Sequence, residues 1–173
     1  MIDQLDGRIG EFWSGEVPNG SHINVVLARR GSPTAAAAAG ALAGPRPGHL
    51  PFLACLSPGV LVRPATIVVN KSPIEGDRAI GPITWGAAQL GIAQGVLDAV
   101  AEGLIDPAEV AEVVVLVAVW VDPEAHDETA VKRANRAATR GAIADALQPP
   151  SAADVQALVD RREAAANIYY AGD

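Results

Sequence analysis

The chain contains a single cysteine, Cys55, so no disulfide can form within it and no cysteine cluster is available to hold zinc. In "PFLACLS" that residue reads as a small core side chain. Basic residues are also scarce: 13 Lys and Arg stand against 20 Asp and Glu, a formal charge of −7. No Lys/Arg block is long enough to follow a phosphate backbone, so nucleic acid is not an expected partner. No uninterrupted apolar run reaches the roughly 18 residues of a membrane span. "MIDQLDGRIGEFW" lacks the basic start and apolar core of a secretory leader. A soluble, cytoplasmic protein with no membrane partner is expected.

What the chain does have is 173 residues, half of them hydrophobic, enough for one domain with a substantial core. Residues 5 to 17 scatter their apolar positions and suggest a first, irregular strand. "HINVVLAR" (22 to 29) is β-branched, preceded by Asn19-Gly20 and followed by Gly31-Ser32-Pro33, as a strand between turns should be. Ser32 as N-cap with Pro33 in the first turn opens an alanine-rich helix over 33 to 43. "PFLACLS" (51 to 57) and "ATIVVNK" (65 to 71) read as neighbouring strands separated by a Pro58-Gly59 turn.

From Pro82 to Leu104 the apolar residues fall at helical spacing despite three glycines. Pro107 starts a single helical turn. "VVVLVAVWV" (113 to 121) is nine apolar residues too β-branched to favour a helix, and is the expected central strand. Residues 128 to 147 predict a second long helix with Lys132, Arg133, Arg136 and Arg140 on a wet face, ended by Pro149-Pro150. Ser151 with Asp154 three residues on resembles a capping box opening an appended helix over 151 to 167. The expected fold is an α/β two-layer sandwich, a sheet of four or five strands with two long helices on one face. The expected division is a domain over 1 to 148 and a helical extension over 149 to 173.

Alternation along the second strand puts His22 and Asn24 on one face at its open end. Taken alone, a polar pair at a strand mouth is an ordinary solvated edge, and the same holds for Lys71 leaving a strand and Gln89 on a helix. "DPEAHDE" offers Asp122, Glu124, His126 and Asp127, but their spacing is not a helical pair and reads as a solvated helix start, not a metal site.

"GSHINVVLARRGSP", "GHLPFLACLSPGVLVRPATIVVNK", "WGAAQLGIAQGVLDAVAEGLI" and "NRAATRGAIADAL" occur in the order and near-spacing of the formaldehyde-activating enzyme family, which the chain resembles from about residue 8 to 147. The resemblance implies a fold similar to the ribosomal protein S5 domain 2-like fold. It implies an enzyme that condenses formaldehyde with tetrahydromethanopterin, a reduced pterin acting as co-substrate with no metal, to the methylene derivative and water. It also implies a homopentamer with pterin clefts between subunits. His22 matches the family's proton-donating histidine, and Leu53, Lys71 and Gln89 match its pterin contacts.

Histidine suits that step: hydroxide leaves a carbinolamine poorly, and an unperturbed imidazole, with a pKa of ~6.5, can protonate it near neutrality. Two pterin positions depart from the family pattern. Asn24 stands where the family has aspartate, exchanging an acceptor-only group for one acceptor and one donor and removing a charge beside His22. Pro73 stands where it has threonine, and can supply neither hydroxyl nor N–H. These departures leave open a second class of protein: a relative that keeps the ring but acts as a binding or regulatory module for a pterin or formaldehyde-linked signal.

Overall fold

The computed structural model describes residues 4–74 and 80–164. Its centre is a five-stranded sheet in the order β1-β2-β7-β6-β3. β1 (Arg8–Ser14) pairs antiparallel with β2 (Ser21–Arg29), β2 antiparallel with β7 (Val113–Val121), β7 parallel with β6 (Ala65–Asn70), and β6 antiparallel with β3 (Phe52–Leu53). The nine-residue apolar run is thus the middle strand. Its alternate residues Val113, Val115, Val117, Val119 and Val121 are buried on the face that carries the helices.

That face is covered by α3 (Gln89–Ala101) and α4 (Glu128–Ala146), which pack on each other along their length. Glycine allows the close approach: a Cβ at Gly91 would lie 2.3 Å from the Lys132 carbonyl oxygen, and one at Gly10 of β1 would lie 2.2 Å from that of Ala142. The backbones therefore meet where any side chain would hold them apart. Arg136 and Arg140, expected on a wet face, are exposed there and pair with Asp98 of α3 and with Glu102 at its C-cap, the first as a fork at 2.6 and 2.7 Å. α3 is preceded by a short helix, α2 (Ile80–Ile83), and a π-helical turn over Thr84–Ala88. α1 (Pro33–Ala43) has the expected Ser32 cap, whose hydroxyl accepts from the Ala35 amide, and packs against β2 and β6.

Two expectations along the chain are corrected. The first strand is regular: seven consecutive residues of β1 pair with β2 in unbroken register. The single strand expected over 51 to 57 divides, because β4 (Cys55–Ser57) turns at Gly59, with φ of 79°, and pairs with β5 (Val60–Leu61) as a separate two-stranded ribbon. Cys55 accordingly is half-buried beside a surface cleft and not a core residue. α5 (Ala152–Asp160) opens with the Ser151/Asp154 capping box; residues 165–167 of that expected helix lie outside the described residues. Among the described residues no helix is long and apolar enough to cross a membrane.

Candidate active site

The side of the sheet away from α3 and α4 displays the alternate residues of each strand, and the register sorts them into rows. Trp13, His22 and Trp120 lie side by side on β1, β2 and β7. Next come Glu11, Asn24, Ala118 and Val69, and then Ile9, Val26, Leu116, Ile67 and Leu53. Lys71 follows β6 directly, its amide donating to the Val119 carbonyl at 2.7 Å, which brings its side chain to the row of His22. Ala28 and Ile67, on this same face, are buried. The His22 end stays open, with His22 31% and Glu11 68% exposed at the side chain.

At that open end three charged or titratable groups form a chain. Lys71 Nζ is 3.0 Å from His22 Nδ1, and His22 Nε2 is 3.1 Å from Glu11 Oε2. The Asn24 amide nitrogen donates to the same Glu11 oxygen at 3.3 Å, and Lys71 also donates to the His22 carbonyl at 3.4 Å. A carboxylate only accepts, so His22 Nε2 must carry a proton. Nδ1 then has two states: unprotonated and accepting from the Lys71 ammonium, or protonated and donating to the neutral amine. The Lys71–His22 contact is a hydrogen bond in which either nitrogen can be the donor. Half-burial lowers the Lys71 pKa from the usual lysine value, while the Glu11 carboxylate pulls it the other way.

The triad is walled by indoles. Trp13 lies 5.6 Å from Trp120 and 6.5 Å from the His22 ring, centroid to centroid, with its Nε1–H held by the Gly15 carbonyl at 2.9 Å. Leu53, 39% exposed, stands at the apolar edge of the same face, two rows from His22.

The structure thus brings His22, Asn24, Lys71 and Leu53 to one surface of one chain. Gln89 lies elsewhere: it begins α3 on the covered side, its amide donates to the Trp85 carbonyl, and it lines a cleft of about 540 Å³ with Cys55, Leu56, Glu128 and Lys132. Pro73 packs against Gly48 and borders a small cavity with Asn70, Ile80 and Thr84, away from the His22 row. The acidic group before α4 is a helix start, since Asp127 caps the Thr129 and Ala130 amides and Asp122 accepts from the Glu124 amide. Sequence reasoning missed Glu11, Trp13 and Trp120. The signal was present in "RIGEFWS", where alternation puts Ile9, Glu11 and Trp13 on one face once the strand is taken as regular.

An α/β sandwich with an imidazole held between an amine and a carboxylate on an open sheet face has the parts of an acid–base enzyme. Residues 9–169 match the family described as "Formaldehyde-activating enzyme (Fae)", and the chain belongs to that family. A protein of Methanosarcina barkeri named "5,6,7,8-tetrahydromethanopterin hydro-lyase" is 35% identical over 83% of this chain and 80% of its own length. Proteins of Methanothrix thermoacetophila and Archaeoglobus fulgidus, each named "Bifunctional enzyme Fae/Hps", are 34% identical over 81% and 83% of this chain. The chain spans 36% of the length of each of those two.

Proposed function

We propose that this protein condenses formaldehyde with tetrahydromethanopterin, giving methylene-tetrahydromethanopterin and water, in the cytoplasm and without a metal. The observation that carries this reading is His22 hydrogen-bonded between Lys71 and Glu11 in a member of the formaldehyde-activating family. An amine of the pterin adds to formaldehyde, and the hydroxyl of the carbinolamine leaves as water once protonated. His22 is the proton donor for that step. Asn24, Lys71 and Leu53 contact the pterin, with Leu53 as part of its apolar wall. Formaldehyde condenses with such amines unaided, so acid catalysis worth about 10² to 10⁴ and orientation of the two nitrogens suffice.

The site of one chain is open, and Gln89 stands on its covered side. Both facts support a cleft completed by a neighbour, with His22 from one subunit and Gln89 from the next, and the resemblance to the family makes the assembly a closed ring of five. Residues 1 to 148 form the catalytic domain in this reading, and 149 to 173 an appended helical segment. The test is the rate of methylene-pterin formation by the purified protein from formaldehyde and tetrahydromethanopterin, after subtraction of the spontaneous reaction. A corrected rate of zero overturns the reading. Tight pterin binding with no rate leaves the non-catalytic binding module in its place.

A further inference from the structure

We propose that Lys71 is a nucleophile that captures formaldehyde covalently, as a methylene iminium on its Nζ, and hands the carbon to the pterin. The inference rests on the formaldehyde-condensing reading above and adds a protein-bound carbon to it. Its basis is the Lys71–His22–Glu11 chain, which does for an amine what an adjacent base does for any weak nucleophile. Moving a proton from Nζ to Nδ1 creates two things at once: a neutral amine, whose lone pair leaves its hydrogen bond with Nδ1–H as it attacks, and an imidazolium whose other N–H is already held by a carboxylate. Half-burial of Lys71 favours that movement. The groups facing Nζ are His22 and, through it, Glu11.

The chemistry balances without oxidant or reductant. The Nζ lone pair attacks the carbonyl carbon and the C=O π pair moves to oxygen, which takes a proton from the nitrogen to give a carbinolamine. That hydroxyl sits on the carbon bonded to Nζ, and Nζ lies 3.0 Å from Nδ1 in the unliganded site, so the Nδ1–H is placed to protonate it. The C–O bond breaks, water leaves with the bonding pair, and the nitrogen lone pair closes to the iminium. The sum is one ammonium and one formaldehyde giving one methylene iminium and one water. Attack on the iminium carbon by one pterin amine and displacement of Nζ by the second form the two C–N bonds of the methylene bridge, and the departing Nζ keeps the C–N bonding pair and takes up the two N–H protons the pterin gives up, so Lys71 returns as the ammonium it began as.

The protein contains its own control, because Lys71 and Lys132 are its two lysines. Lys132 lies on α4, on the opposite side of the sheet, in the cleft with Gln89. The experiment treats the full chain with near-stoichiometric formaldehyde and cyanoborohydride, which reduces an iminium to a methylamine, and follows N-methylation of both lysines by peptide mass spectrometry. Lys71 is expected to be methylated at least tenfold faster than Lys132 in the same molecule. His22→Gln should remove most of that preference, and tetrahydromethanopterin, which also consumes free formaldehyde, should lower labelling of Lys71 by a larger factor than that of Lys132. Labelling of Lys71 no faster than Lys132 overturns the inference; if the corrected pterin rate persists in that case, the condensing function stands and direct attack by the pterin replaces the covalent step. Preferential labelling of Lys71 without any pterin rate supports capture and removes the proposed function.

Discussion

The two faces of the central sheet obey opposite rules. Toward α3 and α4, β7 presents only valine, β1 meets the α4 backbone at Gly10, and α3 meets it at Gly91 and Gly95. Toward the other side the same strand shows Val114, Leu116, Ala118 and Trp120, all half-buried, and its neighbours add Glu11, His22, Asn24 and Lys71. Burying those polar groups under helices would strip their water without replacing all their hydrogen bonds, so they are confined to the face that stays open. Stability and chemistry are thereby separated by the thickness of one sheet. The separation predicts that a side chain on one face can be changed without the cost appearing on the other.

The largest effect that comparison predicts is on the covered side. Gly91→Val places branched carbons against the α4 backbone, where even a Cβ finds the Lys132 carbonyl oxygen at 2.3 Å and the Asn135 Cβ at 2.9 Å. Backbone cannot rotate away as a side chain can, so the change should cost about 3 kcal/mol or more, measured by urea unfolding. A variant as stable as the parent would show that the two helices slide freely and that the covered face is not the rigid one.

His22→Ala tests the open face. The corrected condensation rate should fall by about 10² or more with pterin affinity within a few fold, since a group acting in the transition state changes rate more than binding. The unfolding midpoint should barely move, because the ring is partly exposed. A large loss of stability would break the separation of the two faces. The same variant combined with Gln89→Ala asks whether the faces meet across subunits. Each alone should be impaired, but co-expressed in equal amounts and assembled at random, about a quarter of the clefts would pair an intact His22 with an intact Gln89. Activity of the mixture no greater than the mean of the two variants would place both residues in one chain's site.

Glu11→Gln is a milder probe. Glutamine keeps an acceptor for the Nε2–H but removes the charge, so kcat should drop by roughly tenfold with KM little changed, as expected for a residue acting through His22. An unchanged kcat would leave Glu11 a solvated edge residue.

How far the sequence carried these two faces differs for a physical reason. The covered face was legible because its signals are local. Nine consecutive apolar, mostly β-branched residues favour a strand over a helix, Ser32 and Ser151 accept from amides three residues on, and Pro149-Pro150 follow closely on the end of α4. The open face depends on register between strands. Glu11 reaches His22 only because Trp13 pairs with His22 across a hairpin, and Lys71 reaches it from two strands away. No spacing within one segment encodes that. The resemblance to a family named six positions: His22, Asn24, Leu53 and Lys71, which the structure brings to one surface, and Gln89 and Pro73, which it places elsewhere. It was silent on Glu11, which lies outside the segments that carry the likeness. The split of β3 from β4 escaped for the opposite reason: alternation continues through "PFLACLS" although the chain leaves the sheet.

The smallest effect is predicted at Asn24, a position in the histidine's strand where the resemblance implies an aspartate. Asn24 stands directly opposite Glu11 in the β1–β2 register and donates to its carboxylate. Asn24→Asp therefore does two things. It supplies an acceptor-only group to the donors of the pterin, which should tighten pterin binding by a few fold. It also sets two carboxylates in cross-strand contact, which should cost stability by about 0.5 kcal/mol, because like charges directly opposite each other destabilise a ladder. The two consequences separate in a double-mutant cycle. In a Glu11→Gln background the second carboxylate has no like charge to face, so the stability loss should vanish while the gain in pterin affinity remains. A loss that persists without Glu11 would mean that Asn24 stabilises the strand by some contact other than the one to its neighbour. Weaker pterin binding by Asn24→Asp in both backgrounds would mean that the amide donor is itself used by the ligand, making asparagine a fitted feature of this chain and not a lost aspartate.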